Sequence, residues 1–246
     1  YTKFVKDFKN RLPMLYVGGN DGMLHGFSAE NGTEKIAYIP KGIIKNLPEL
    51  TKPTYQHMYF VDGSPFSGDV DRSSGTTPDW RTLLVGTLGA GGKGYFILDV
   101  TKPGSPTSTI EGAVDNSFSK GNASTLVVLD KTAHKDETFA TNAVERDIGH
   151  IFAQPVVDDT SPHFTNQIAR LNNGRWAVVM GNGYNSTNER PVLLIQYLSG
   201  SDTSLKIIPA AAVGSTNAVS NGLSAPRLVD INGDGAPDVA YAGDLR

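Results

Sequence analysis

The chain has 246 residues, 39% of them hydrophobic and 19% charged, with a formal charge of −3. That balance suits a folded globular chain, argues against disorder, and offers no basic face to nucleic acid. There is no cysteine, which excludes a disulfide framework and thiolate metal centres. No apolar run approaches the roughly 20 residues needed to cross a bilayer as a helix.

In chain order, the first unit is MLYVGGNDGMLHGFSA, from Met14. Leu15 to Val17 reads as a strand, Asn20-Asp21-Gly22 as a turn, and Met23 to Phe27 as the return strand. Asn31-Gly32 turns again, and KIAYIP reads as a third strand. A short helix near KGIIKNLPEL would be limited by Pro48. The stretch VDGSPFSGDVD, with Asp62, Asp69 and Asp71, reads as polar turn and loop, with a second cation site as the weaker alternative.

The next unit, RTLLVGTLGAGGKGYFILDVT, has strands at Thr82 to Leu88 and Tyr95 to Val100 around a glycine run. Gly89, Gly91 and Gly94 spell G-x-G-x-x-G, but a dinucleotide fingerprint needs a helix next, and YFILDV is a strand. A hairpin is the better reading. Residues 103–148 are rich in Ser, Thr, Asn and Lys, with one apolar run, STLVVLD, and read as an irregular insertion or an elaborated outer strand region.

Strands then recur at Trp176 to Met180 and Val192 to Leu198 across a polar loop. The phrase strand-Gly-strand repeats as YVGGNDG, LVGTLGAGG, VMGNGYN and YAGDLR. Such repetition predicts an all-β chain built of propeller blades of about four strands each. The histidines lie apart, with His25 and His57 in apolar or aromatic settings, and read as structural. Asn31, Asn122 and Asn185 head Asn-x-Ser/Thr triplets, which suggests surface loops.

The stretch with most chemistry is DINGDGAPD, Asp230 to Asp238, between the strand-like RLV and VAYA. Calcium takes oxygen ligands, and a loop supplies them from its first, third and fifth positions and from a carbonyl at the seventh. Asp230, Asn232 and Asp234 hold the first three places, and Ala236 would offer its carbonyl. Tyr241 stands where an EF-hand would place its closing Glu, so Asp238 would close a shorter loop. Three carboxylates within nine residues repel one another unless a cation offsets them. The competing reading is a hairpin using Asn-Gly and Asp-Gly turns. A bare turn does not require Asp230, Asp234 and Asp238 in phase.

The run LYVGGNDGMLHGFSAENGTEKIAYIP resembles the opening blade of the PilC-type β-propeller, found in PilC/PilY-type tip adhesins of bacterial type IV pili. YQHMYFVDGSP, WRTLLVGTLGAGGKGYFILDVT, DIGHIFAQPVV with RWAVVMGNGYNS, and NGLSAPRLVDINGDGAPDVAYAGDLR follow in the same order. The resemblance implies a modified, quinoprotein-like propeller over residues 1–246, partial here and expected to continue into further blades. It implies a calcium-binding domain that supports pilus extension, attachment and twitching motility, with no catalytic residues. The implied ligands are Asp230, Asn232, Asp234, Asp238 and the carbonyl of Ala236. The implied partners are minor pilins at the pilus tip and a host-cell or abiotic surface. The implied location is secreted, at the cell surface and pilus tip, reached through the periplasm or outer membrane. Two alternatives share the architecture: a pyrroloquinoline-quinone-type dehydrogenase and a glycan- or protein-binding propeller. The absence of cysteine removes the vicinal disulfide frequent in the first, and no Arg-Gly-Asp triplet supports an integrin-type contact.

Overall fold

The computed structural model describes residues 1–105, 117–137, 139, 144–157, 165–199, 203–210 and 221–245. A short helix α1 (Thr2–Phe8) leads into a three-stranded antiparallel sheet of β1 (Met14–Gly18), β2 (Leu24–Ser28) and β3 (Glu34–Tyr38). A 3₁₀ stretch, Lys41–Thr51, follows and carries Pro48 inside it. The expected short helix is therefore present in the tighter i→i+3 form, and Pro48 lies within it rather than ending it.

The second sheet is a four-stranded meander of β4 (Phe66–Asp71), β5 (Trp80–Thr87), β6 (Gly92–Asp99) and β7 (Val127–His134). The third repeats the plan with β8 (Ile168–Arg170), β9 (Trp176–Gly181), β10 (Val192–Tyr197) and β11 (Leu205–Pro209). A two-stranded sheet, β12 (Arg227–Val229) and β13 (Val239–Tyr241), comes last. In every sheet sequential strands are neighbours and antiparallel, as in propeller blades. The glycine run GAGGKG forms a 3₁₀ turn at Gly89–Gly91 and then enters β6, so the hairpin reading of that motif holds. Part of the polar stretch 103–148 is β7, which pairs with β6 as the outermost strand of the second blade.

The pleat explains why β5 and β6 are apolar without alternation. Side chains alternate between faces, and both faces of this blade are covered. Leu83 and Val85 of β5, with Tyr95 and Ile97 of β6, face the third blade and meet Ile168, Val178, Met180 and Leu194. Leu84 and Leu88, with Phe96 and Leu98, face the first blade and meet Leu24, Ile43 and Phe60. Gly86 lies opposite Phe96 across the ladder. A Cβ at residue 86 would stand 2.2 Å from the Phe96 ring, so only glycine fits there.

Beside this apolar contact, a buried polar cluster centres on Asn182 and Asp147. Asn182 Nδ2 donates to the carbonyls of Asp147 (2.8 Å) and Arg190 (2.9 Å). Its Oδ1 accepts the N–H groups of Val192 and Leu223, each at 3.0 Å. Asp147 is wholly buried, and Arg190 grips it with two parallel bonds, at 2.8 and 2.7 Å.

Candidate metal centre

The loop Asp230 to Asp238 joins β12 to β13, whose pairing places Val229 opposite Val239. The Asp238 N–H donates to the Val229 carbonyl at 2.9 Å and closes the loop's neck. The short polar residues then fold the loop onto themselves. Asp230 accepts the N–H of Gly233 on Oδ1 and that of Gly235 on Oδ2, both at 2.7 Å. Asn232 Oδ1 accepts from Asp234 N–H, and Asp234 Oδ1 from Ala236 N–H, each at 2.9 Å. Asp238 Oδ2 accepts the Ile231 N–H at 2.9 Å. These are local side-chain-to-backbone turns, the device that Asp and Asn use to hold irregular backbone. Gly233 and Gly235 supply the left-handed conformations the path requires, at φ 76° and 85°.

All five sequence-predicted ligand positions therefore share one exposed loop, which is already ordered by its own hydrogen bonds. Three carboxylates, one carboxamide oxygen and one carbonyl make an all-oxygen donor set, the chemistry of a hard divalent cation. The carboxylates face loop N–H groups and do not gather on one point. Among the described residues no three histidine, aspartate or glutamate side chains are grouped as a metal site. The donor types fit calcium.

One neighbour was not legible in the sequence. Asn172, in the turn between β8 and β9, donates from Nδ2 to Asp238 Oδ1 at 3.1 Å. The Ile231 N–H and this amide hold the Asp238 carboxyl below its usual range. Asn172 lies far away in sequence, and a turn asparagine carries no signal of such a partner.

Asp62, Asp69 and Asp71 are engaged separately. Asp62 accepts the Ala90 N–H at 3.2 Å. Asp69 accepts the hydroxyls of Thr82 (2.6 Å) and Tyr1 (2.7 Å). Asp71 Oδ1 accepts the N–H groups of Ser73 (3.0 Å) and Asp79 (2.9 Å). His25, His57 and His150 likewise have local partners. His25 sits between Glu34 (2.5 Å) and Asp21 (2.8 Å), and the Glu34 contact leads in raising its pKa above 6.5. His57 meets the Tyr59 ring edge-on at 5.4 Å. His150 stacks on Tyr184 at 4.9 Å and bonds the Gly89 carbonyl at 2.9 Å, and its burial lowers its pKa.

Comparison with known proteins agrees with this architecture. The PilY1 β-propeller domain family matches residues 1–246. The type IV pilus biogenesis factor PilY1 of Pseudomonas aeruginosa (strain UCBPP-PA14) is 39% identical over 249 residues, covering 100% of this chain and 17% of that protein. A PilY1 homolog of Xylella fastidiosa (strain Temecula1 / ATCC 700964) is 34% identical over 252 residues, covering 100% of this chain and 14% of its own length. The chain thus spans less than a fifth of these relatives. The crystal structure of the Pseudomonas aeruginosa PilY1 C-terminal domain superposes with a TM-score of 0.66 at 36% identity, over 100% of this chain and 39% of that one. With its meander blades and a match along its whole length, the chain belongs to the PilY1 β-propeller family.

Proposed function

We propose that this chain is a calcium-binding propeller segment of a type IV pilus biogenesis factor, acting without catalysis at the pilus tip. The observation that carries the reading is the ordered Asp230–Asp238 loop, set between two strands of a PilY1-family propeller. The relatives' names support the pilus assignment. Minor pilins are the partners this reading names, and attachment to a cell or abiotic surface is the task. The location follows, at the cell surface after passage through the periplasm or outer membrane.

In this reading Asp230, Asn232, Asp234, Asp238 and the Ala236 carbonyl hold the ion. Bound calcium supplies charge that offsets three carboxylates. Asp230 and Asp238 stand at the two mouths of the loop, so joining them through one ligand shell ties the end of β12 to the start of β13. Asp230 also fixes the Gly233 and Gly235 amides, which sets the loop path before binding and lowers the ordering cost. Extracellular calcium modules bind at about 10⁻⁴ to 10⁻³ M, a range to which a surface protein would respond.

The test is a melting curve with calcium and with chelator. Calcium raises the midpoint of the wild-type chain, as binding to the native state alone must. Asp234→Ala removes the rise. A wild-type curve that ignores both additions sinks the calcium reading.

A further inference from the structure

A cleft of about 770 Å³ opens where the second and third blades meet, which is within the size range of small-ligand sites. Its walls come from equivalent places in the two blades. Asp71 pairs with Trp80 at the β4–β5 hairpin, and Arg170 pairs with Trp176 at the β8–β9 hairpin. Blade repetition thus brings two indoles together, with centroids 5.5 Å apart and planes at 75°. Both remain only partly buried.

The corner is braced. Tyr1 covers Trp80 at 4.7 Å. The Trp176 N–H donates to the buried Ser199 Oγ at 2.9 Å. Arg175 lies over the Tyr197 ring, 3.5 Å from its centroid. Exposed Arg170 is steered by a bond from Nε to the Gly174 carbonyl at 3.3 Å. Side chains fixed in advance lose little freedom when a ligand arrives.

The chemistry selects a ligand class. A corner of two indoles offers a flat apolar wall to the C–H face of a sugar ring. Hydroxyls need acceptors and donors side by side, and Asp71, Arg170 and Arg175 supply them on the same cleft. Among the described lining residues the cationic groups are Arg170 and Arg175 and the carboxylate is Asp71. A guanidinium fork matches a carboxylate with two parallel bonds. We propose that this cleft binds an acidic saccharide, its ring packed on the Trp80–Trp176 corner and its carboxylate paired with Arg170.

The chain has two tryptophans, and both line this cleft. Its tryptophan fluorescence, excited selectively over the tyrosines, therefore responds to binding in the cleft. The chain is titrated with tri-galacturonate, neutral maltotriose and tri-glutamate, with chelator present so that the calcium loop plays no part. A saturable change with tri-galacturonate, and a response at least tenfold weaker to the other two, is expected. Arg170→Gln, on an exposed side chain, should weaken tri-galacturonate binding roughly tenfold or more at an unchanged melting temperature, from the worth of a charge-assisted hydrogen bond. Trp176→Phe should weaken it while keeping the fold. No saturable change up to about 10 mM, a concentration that would reveal even a very weak site, overturns the proposal. So does an equal response to maltotriose, an equal response to tri-glutamate, or indifference to Arg170→Gln. None of these results bears on calcium, so the two sites stand or fall separately.

Discussion

Asn172 Nδ2 donates to Asp238 Oδ1 at 3.1 Å, so the turn between β8 and β9 holds the closing carboxylate of the β12–β13 loop. A blade-three residue thereby orients a side chain on the next sheet. Partners that orient a metal ligand commonly change affinity by roughly 10- to 100-fold when removed. Asn172→Ala should therefore weaken calcium binding by roughly tenfold, near the lower end, because the Ile231 N–H still holds the other Asp238 oxygen. Calorimetry on the variant checks this, and an unchanged affinity would show that Asp238 needs no help from the third blade.

Gly235 stands at φ 85° with open space around it, so a substitution there meets backbone strain and no clash. A non-glycine residue in that conformation costs about 1–2 kcal/mol. Gly235→Ala should lower the urea midpoint by a corresponding amount and weaken calcium binding with it. Gly75, also in open space but with no positive φ, is the control, and Gly75→Ala should be near neutral. Equal effects of the two substitutions would contradict the strain argument.

Arg190→Met should be among the most damaging single changes. It strips the wholly buried Asp147 of two charged bonds and leaves it the Asn188 amide at 3.0 Å. Breaking a buried pair on one side costs about 3–5 kcal/mol. Replacing both partners, as Asp147→Leu with Arg190→Met, should recover part of that loss. Urea unfolding of the three variants gives the coupling, and simple additivity would rule out the pair as a unit.

His25 should impose a pH slope on stability. Glu34 and then Asp21 raise its folded pKa above 6.5, against the opposing effect of burial. A raised value means that the contribution is complete below the unfolded pKa, about 6.5, and is lost as pH climbs through the folded one. Melting midpoints should therefore fall across that window in wild type. In His25→Gln this part of the fall should vanish, and a parallel slope in both proteins would place the titration elsewhere.

How much of this could be read from the chain depended on burial. β5, β6 and β9 were legible because the apolar runs of central strands are covered on both faces, and β10 because its Val, Leu and Ile run is buried on one face and half-buried on the other. β4 was not, since Phe66–Asp71 is half polar and only Val70 is buried. Its Asp69 and Asp71 read as loop residues, though they bond the neighbouring strand and turn. β8 and β11 were missed because Ile168–Arg170 and Leu205–Pro209 sit beside polar stretches and belong to no strand-Gly-strand phrase. The Asp230–Asp238 loop between two strands was legible because its residues lie within nine consecutive positions. Asn172 and the Trp80–Trp176 corner were not, because only the packing of one blade on the next brings them together.

In the proposed function DINGDGAPD holds a calcium ion. Isothermal titration of the chain with calcium, beside Asp230→Ala, tests it most directly. The expected result is one saturable site at about 10⁻⁴ to 10⁻³ M or tighter in wild type, with none in the variant. No heat of binding in wild type, or equal binding in both, would contradict it.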